Sequence, residues 1–483
     1  MFRRPGPSLG RFSFVFAAAC LLLDAANLAA SVIPLPSDFL VNSYTTGLQG
    51  YPSVAIDADG DFVVAWTSYA AQDGSDRGVF ARRFNAAGIA QAAEFQVNSY
   101  TVGPQAIPSV SLADAGQFVI AWTGYGGQDG SNNGIFARRF SAAGVPQAVE
   151  FQVNSFTTGY QLSADLSLDA DGDFVVAWTS FSTSQDGSGD GVFARRFSSA
   201  GVPQASEFQV NSFTPGDQTS PSVSLDANGD FVIALTGEDS QDGSNHGVFA
   251  RRFDAAGVPQ AAEFQVNSFT PGDQSSASVS LDADGDFVVA WDSQLQDGSD
   301  QGVFARRFNA AGVPLAVEFQ ANTYTTGLQF GFSAGLGFVS LDADGDFVVS
   351  WQSQGQDGSS DGVFVRRFDS SGAPLTTELQ VNSYTTNSQR SAAVAADDSG
   401  DFVVAWHGYG HDDVDNGIFA RTFNAPAVLD IDGNGITAPL SDGLLVLRFL
   451  FGFTGAPLVS GAVEAGCTRC DAPAIEAYLG GLI

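Results

Sequence analysis

The sequence contains no lysine, and its 20 basic residues, all arginine, face 53 acidic residues. The resulting formal charge of −33 argues against a nucleic-acid partner, because such a partner calls for a cationic surface. An anionic membrane surface is disfavoured for the same reason. Beyond the N-terminal region, no run reaches the ~18 apolar residues that a membrane-spanning helix needs, so we predict no membrane span.

The N terminus has the order of an export signal. Arg3, Arg4 and Arg11 precede the apolar run from Phe12 to Leu23, and small residues follow. This order is typical of a cleaved secretory peptide. We therefore predict that residues 1–30 are a signal peptide and that the mature protein is secreted, periplasmic or held at the cell surface.

One unit is repeated seven times in the sequence. The phrase Phe95–Tyr100 recurs in similar form at intervals of 55 to 60 residues. Its other copies begin at Phe39, Phe151, Phe208, Phe264, Phe319 and Leu379. All six tryptophans occupy one position of the unit, and Leu235 fills that position in the fourth copy. Self-similarity at this period is the signature of a repeat architecture.

Each unit predicts four short strands separated by Gly, Asp, Pro and Ser. In the first repeat these are strand a (Ser53–Ile56), b (Phe62–Trp66), c (Val79–Phe84) and d (Phe95–Tyr100). Because four strands cannot bury both faces alone, the units must stack face to face. We predict that residues 37–424 form an all-β, seven-bladed propeller with four-stranded blades. The first d strand (Phe39–Tyr44) would close the last blade, beside strand c at Gly417–Phe423.

Antiparallel strands place the a–b and c–d loops on one face and the b–c and d–a loops on the other. We call the second the ligand face, because departures from the repeat concentrate there. The sixth repeat has a longer d–a loop and the seventh an unusual b–c loop. An aromatic groove lined by His and Asp is therefore predicted, with drift of terminal loops as the alternative. Its candidate residues are Phe330, Phe332, His407, Tyr409, His411, Asp412 and Asp413.

Three recurring polar features have structural explanations as well as functional ones. Turns such as Asp57–Asp61 would suit calcium, but the second repeat keeps the glycine of this turn and loses the charge cluster, which favours turn chemistry. The recurring glutamine of the d–a loop, Gln49 in the first repeat, is interpreted as a tie between blades. The Arg-Arg pair of strand c, such as Arg82 and Arg83, is interpreted as an ion-pair partner of aspartates in the neighbouring blade.

The C-terminal segment follows a different pattern. Oxygen side chains at loop positions 1, 3 and 5 with Gly at 6 are typical of a calcium loop. Residues 428–483 resemble the dockerin-like, EF-hand-type modules of secreted bacterial proteins. The resemblance implies an α-helical domain that binds Ca²⁺ and a cohesin-type partner, although only one such loop is present. The implied calcium ligands are Asp430, Asp432, Asn434, Ile436 (through its carbonyl) and Asp442.

Two cysteines, Cys467 and Cys470, remain after signal removal. An even number in an oxidising compartment favours a local disulfide between them. A metal site is the weaker alternative, because no further Cys or His lies nearby in sequence.

The repeats themselves resemble tandem repeats of large secreted or surface proteins of bacteria, which implies a fold more than an activity. We expect an exported, calcium-stabilised binding or scaffold protein for an extracellular carbohydrate or protein. The alternatives are a polysaccharide-degrading enzyme and a purely structural envelope component. Nearly all aspartates belong to the repeat, so no catalytic pair is assigned.

Overall fold

The computed structural model describes residues 33–34, 37–69, 71–238, 241–331, 337–410, 416–424, 442–463 and 470–482. Residues Pro34–Phe423 form one compact unit, and the helices near the C terminus belong to a second. The predicted groove residues Phe332, His411, Asp412 and Asp413 lie outside the described residues. So do the signal segment, Cys467 and the loop ligands Asp430, Asp432, Asn434 and Ile436.

The first unit is all-β and consists of repeated antiparallel sheets in the order a–b–c–d. The a strands are Gln49–Ile56, Gln105–Leu112, Tyr160–Leu168, Gln218–Leu225, Gln274–Leu281, the pair Gln329–Phe330 and Val339–Leu341, and Gln389–Ala396. The b strands are Phe62–Ser68, Phe118–Tyr125, Phe174–Phe181, Phe231–Gly237, Phe287–Gln294, Phe347–Gln354 and Phe402–Tyr409. The c strands are Gly78–Phe84, Asn133–Phe140, Gly191–Phe197, Gly247–Phe253, Gln301–Phe308, Asp361–Phe368 and Asn416–Asn424. The d strands are Phe39–Leu40, Phe95–Gln96, Phe151–Gln152, Phe208–Gln209, Phe264–Gln265, Phe319–Gln320 and Leu379–Gln380. A helical turn, α1 (Thr183–Asp186), follows the third b strand, and a two-residue strand, Ile33–Pro34, precedes the repeats.

The a strands are longer than the sequence predicts, and the d strands are shorter. Strand a continues back to Gln49 through a bulge, at which Tyr51 takes a φ of 53°. Strand d ends at Gln96 because a side chain then replaces the backbone acceptor: Asn98 Oδ1 accepts the Val79 N–H at 2.8 Å. In the sixth repeat, strand a is described in two parts, Gln329–Phe330 and Val339–Leu341. The additional residues of this repeat come after Phe330 in sequence, and so the predicted lengthening of the d–a loop is wrong.

The sheets pack face to face through a repeated apolar layer. The tryptophan of strand b is fully buried in each repeat that has one, and so is Leu235. Phe62 and Phe84 stack at 5.0 Å, and Phe39 of the preceding d strand packs on Phe84 at 5.4 Å. Burial of each such ring stabilises the fold by about 1.5–3 kcal/mol.

Serines of strand a connect neighbouring sheets at their inner edge. The hydroxyl of Ser53 accepts the Val110 N–H of the next sheet at 3.1 Å, and Ser109 accepts from Leu166 at 3.2 Å. In the same way, the Ser222 hydroxyl accepts the Val279 N–H at 3.2 Å. The register between neighbouring sheets therefore depends on this serine position of strand a, whose hydroxyl accepts a backbone N–H of the next sheet.

The first d strand pairs with the last c strand. Phe39 lies opposite Ala420, and Asn42 Oδ1 accepts the Ile418 N–H at 2.7 Å, as Asn98 does for Val79 in the first repeat. One apolar cluster contains Trp66 of the first repeat together with Val403 of the seventh.

The C-terminal unit contains three helices in its described part: α2 (Asp442–Leu450), α3 (Ala456–Val459) and α4 (Ala472–Leu482). Leu445, Leu458, Ile475 and Leu479 form its core. Nowhere in the part of the chain that the structure describes is a helix both long and apolar enough to cross a membrane.

Candidate functional site

Loop parity follows the prediction. The a–b turn meets the c–d turn of the same repeat, where Asp61 Oδ1 accepts the Ala86 N–H at 3.2 Å. On the opposite side, the d–a segment of the second repeat meets the b–c loop of the first, where the Gln105 N–H donates to the Arg77 carbonyl at 2.9 Å. The ligand face therefore consists of the b–c and d–a segments.

The aspartates of the a–b turns have structural partners. Asp57 Oδ1 accepts the N–H groups of Asp59 and Asp61, at 3.2 and 2.9 Å. In the second repeat the same turn closes without these carboxylates, since the Gly116 N–H donates to the Ala113 carbonyl at 2.7 Å. Turn chemistry accounts for these residues.

The recurring glutamine is buried and acts within the framework. Gln49 Oε1 accepts the indole N–H of Trp66 at 3.1 Å. Gln161 accepts from Asn154, which belongs to the preceding sheet, at 3.2 Å. This glutamine therefore connects sheets and is not available to a ligand.

The Arg-Arg pairs differ from the prediction of ion pairs between blades. The first arginine binds a backbone carbonyl of the neighbouring sheet, as Arg138 Nη1 does with Val97 at 2.8 Å, and it lies over a phenylalanine ring of its own strand. Among the described residues, the ion pair between a strand-c arginine and a turn aspartate is Arg367–Asp342, at 3.4 Å and within one repeat. A backbone carbonyl is available in every sheet, whereas the second repeat has Ala113 and Gln117 in place of the turn aspartates Asp57 and Asp61.

A pocket of about 490 Å³ lies on the ligand face between the first, sixth and seventh repeats. It contains Phe330, His407 and Tyr409, the three described members of the predicted groove. We call it the ligand-face pocket. The prediction missed four further groups that line it, namely Tyr51, Tyr69, Asp361 and Arg390.

Aromatic side chains form much of the pocket wall. The rings of Tyr51 and Tyr69 lie 6.4 Å apart, and the Arg77 guanidinium lies 4.5 Å from the centre of the Tyr69 ring. Burial, followed by the neighbouring Tyr51, raises the pKa of Tyr69 above its usual range. The Tyr69 hydroxyl therefore stays protonated and can donate a hydrogen bond at physiological pH.

His407 lies in the pocket with unused hydrogen-bonding capacity. Both ring nitrogens are buried and have no hydrogen-bond partner among the described residues. Burial, followed by the charge of Arg390 on the adjacent strand, lowers the pKa of His407 to about 4. The ring of Tyr409 meets it edge-on at 5.1 Å. A neutral imidazole offers one donor and one acceptor to a ligand.

Arg390 and Asp361 form the charged part of the pocket. Nε and Nη2 of Arg390 both lie 2.7 Å from Asp361 Oδ2. The carboxylate side chain is 8% exposed, whereas the arginine side chain is 45% exposed. Asp361 therefore orients the guanidinium and leaves part of it accessible.

Among the residues that the prediction missed, Tyr69 could have been identified from variation at one fixed position of the repeat. The third residue after the tryptophan position changes from aromatic in four repeats to polar in the other three. Its members are Tyr69, Tyr125, Phe181, Glu238, Gln294, Gln354 and Tyr409. The aromatic members come from the consecutive repeats seven, one, two and three if the chain closes. Framework positions stay constant, so this variation marks the ligand face.

A second polar cluster lies on the ligand face around the fourth repeat. His246 Nε2 is 3.5 Å from Glu238, and His246 Nδ1 is 3.9 Å from Asp273. Burial, with the nearby charges of Asp217 and Glu238, raises the pKa of Asp190 to about 6. Among the described residues, no group of three or more His, Cys, Asp or Glu side chains is placed to hold a metal ion.

The structure describes only part of the C-terminal segment for which a calcium loop and a disulfide are predicted. Helix α2 begins at Asp442, which is the last of the predicted calcium ligands. Cys470 is disulfide-bonded, while Cys467, its predicted partner, lies outside the described residues.

No family model matches the sequence, and no curated protein matches it. Solved structures with a similar chain path include a protein of unknown function from Dyadobacter fermentans DSM 18053 (TM-score 0.47, 11% identity, 81% of this chain and 99% of that chain). Another is the β-propeller domain of the Trilobed protease from Pyrococcus furiosus (0.44, 9%, 78% and 94%). A third is an α-L-arabinanase from Penicillium chrysogenum complexed with arabinobiose (0.43, 10%, 82% and 99%). Because these identities and TM-scores are low, no activity is transferred from these proteins.

Proposed function

We propose that residues 37–424 form a closed seven-bladed β-propeller and that its ligand-face pocket binds an extracellular carbohydrate. Support for closure comes from the Asn42–Ile418 hydrogen bond and from the cluster shared by Trp66 and Val403. Asp38 supports closure as well, since it accepts the Ser383 N–H at 2.9 Å, as Glu94 accepts the equivalent Ser43 N–H in the first repeat.

The observation that carries the binding proposal is the pocket wall. Tyr51, Tyr69, Phe330 and Tyr409 line the pocket and would pack against the apolar faces of a sugar. His407 would supply one donor and one acceptor that no described residue uses. A concave, mainly apolar site with a few convergent polar groups is the usual form of a small-ligand site. Tyrosine supplies contact area with little loss of side-chain entropy.

The test is a binding screen of the mature protein against immobilised polysaccharides, including cellulose, xylan, arabinan, pectin and alginate. Bound polymers are then measured by calorimetry with Tyr69→Ala and with Tyr409→Gln, which copies Gln354 of the sixth repeat. We expect at least tenfold weaker binding by both variants and unchanged thermal melting of the second. Retention of all binding by both variants would remove the pocket from the proposal.

A polysaccharide-degrading enzyme is the second candidate. The observation in its favour is Asp190, whose pKa of about 6 suits a general acid, beside Asp217 and Glu238. Glycoside hydrolysis needs two carboxyl groups about 5–9.5 Å apart. In the ligand-face pocket itself, Asp361 is the one carboxylate among the described lining residues, and it forms an ion pair with Arg390. That pocket therefore does not supply a pair of carboxyl groups. Release of reducing ends by wild type, and not by Asp190→Asn, would establish this activity.

We also propose export after removal of residues 1–30 and calcium binding by residues 430–442. Helix α2 fits the second proposal, because it begins where the exiting helix of an EF-hand-type loop would. The residues that would hold the ion are Asp430, Asp432, Asn434, Ile436 and Asp442, and the ion would order the loop ahead of this helix. Recognition of a cohesin-type partner stays a prediction from the sequence resemblance.

A further inference from the structure

We infer that the carbohydrate in the ligand-face pocket is acidic and that Arg390 and Arg77 recognise the carboxylate of a uronic acid residue. This inference rests on the proposed function and names its ligand class.

The first support is the distribution of cationic residues. Between Pro34 and Phe423 the chain has 15 arginines and no lysine. Thirteen belong to the strand-c positions of the repeat, where the first of each pair binds a neighbouring carbonyl and covers a phenylalanine ring. The other two are Arg77 and Arg390. Arg390 lines the ligand-face pocket, and Arg77 lies over Tyr69, which also lines it.

The second support is that the fold does not require arginine at either position. The residue equivalent to Arg390 is Gly50, Ala106, Leu162, Thr219, Ser275 or Phe330 in the other repeats. The residue equivalent to Arg77 is Asn133, Asp190, His246, Gln301, Asp361 or Asn416. These sheets form with the same register. Folding therefore does not account for the two arginines, of which Arg390 lines the pocket and Arg77 contacts the lining residue Tyr69.

The third support is the geometry of Arg390. Asp361 engages Nε and Nη2, so Nη1 has no partner among the described residues. A guanidinium held in this way is oriented in advance for a second carboxylate, which lowers the entropic cost of binding. His407, neutral and unpartnered, lies on the adjacent strand position and can donate to the same group.

The fourth support is electrostatic. A chain of net charge −33 repels anionic sugars at long range, so local cations are needed to bind one. A neutral sugar does not require two arginines, because amide and carboxylate side chains can also bind its hydroxyl groups. Cation placement at this pocket therefore favours a carboxylate-bearing ligand.

The experiment compares oligosaccharide pairs that differ only in charge. Calorimetry at 0.15 M ionic strength uses hexagalacturonate and its fully methyl-esterified form, with oligomers of alginate and hyaluronan as further uronates and cellohexaose and arabinohexaose as neutral probes. We expect at least one uronate oligomer to bind at least tenfold more tightly than every neutral probe.

Two variants copy other repeats. Arg77→Asn reproduces Asn133, and the double variant Arg390→Ser with Asp361→Asn reproduces Ser275 and Asn133 without leaving a buried carboxylate unpaired. Each should weaken uronate binding at least tenfold and leave thermal melting unchanged. One control should keep the affinity, namely Arg83→Thr, which copies Thr422 and removes a charge beside the c–d turn near Gly144.

Equal or tighter binding of neutral probes would overturn the uronate inference and leave carbohydrate binding intact. Absence of binding to every glycan would overturn the proposed function and the inference with it. Weakening by Arg83→Thr to the same degree would show that overall charge, and not the pocket, governs affinity.

Discussion

Asp165 offers a test of how the sheets are held together. It stands at the strand-a position that is serine in Ser53, Ser109 and Ser222, and it lies opposite Ala177 as Ser109 lies opposite Ala121. Its carboxylate is buried and accepts hydrogen bonds from Ser109 Oγ and from the Val223 N–H, each at 2.8 Å. No cation neutralises it among the described residues, and burial raises its pKa.

Replacement Asp165→Ser keeps an oxygen for the Val223 N–H and removes a buried charge. The net cost of a buried polar group that stays imperfectly compensated is about 1–3 kcal/mol, and more for a charge. We therefore expect the variant to be more stable than wild type at pH 7 by about 1–3 kcal/mol.

The pH dependence has a definite sign. Because the folded-state pKa of Asp165 lies above the unfolded value of about 3.9, the unfolded chain releases this proton first as pH rises. The contribution of Asp165 to the free energy of unfolding is fully present below about pH 4 and is lost as pH rises through the folded pKa. The loss is ~1.4 kcal/mol for each pKa unit between the unfolded and folded values. The gain from Asp165→Ser should thus be small at pH 4 and larger at pH 7.

Chemical denaturation between pH 4 and 8 measures this difference. Asp59→Asn removes a charge of the same sign from an exposed turn position and serves as the control. A variant that is less stable than wild type at pH 7, or whose stability difference does not change with pH, would refute the argument that burial of this carboxylate opposes folding.

The remaining predictions concern closure, the pocket and calcium. Asn42→Ala leaves the buried Ile418 N–H without its acceptor and should lower the free energy of unfolding by about 1–3 kcal/mol in chemical denaturation. Asn98→Ala, which removes the equivalent bond in the first repeat, should have the same effect. A loss of stability for Asn98→Ala and none for Asn42→Ala would contradict closure. His407→Thr copies Thr67 and should abolish glycan binding in calorimetry without lower thermal stability, and unaltered affinity would exclude a role for the imidazole. Since the pKa of His407 is about 4 in the folded chain and about 6.5 when unfolded, wild type should lose stability as pH falls from about 6.5 towards 4, and His407→Thr should lose less. Chelation should lower the melting temperature of the wild-type C-terminal unit, whereas Asp430→Asn with Asp432→Asn should be insensitive to chelator; equal sensitivity would remove these residues from the calcium site.

Strand order and loop parity could be predicted because the repeat alternates apolar strands with turn residues at constant spacing. The end of strand d could not be predicted, because the Asn98 side chain accepts the Val79 N–H in place of a backbone carbonyl and so ends the strand. The partners of the strand-c arginines were also missed, because a backbone carbonyl has no sequence signature. Phe330, His407 and Tyr409 were found as breaks in the repeat, whereas Arg390 and Tyr51 looked like ordinary variation within strand a.

Composition and periodicity alone determined the all-β repeat class, the number of copies of the unit and the two loop faces. Those properties depend on local patterning, which is readable along one chain. Only the tertiary structure decided that residues from the first, sixth and seventh repeats share one pocket, that Asp361 orients Arg390 and that His407 keeps both nitrogens unpaired by described residues. These depend on distances between segments far apart in sequence, which arise when neighbouring sheets pack and their bulges bring particular side chains to one face.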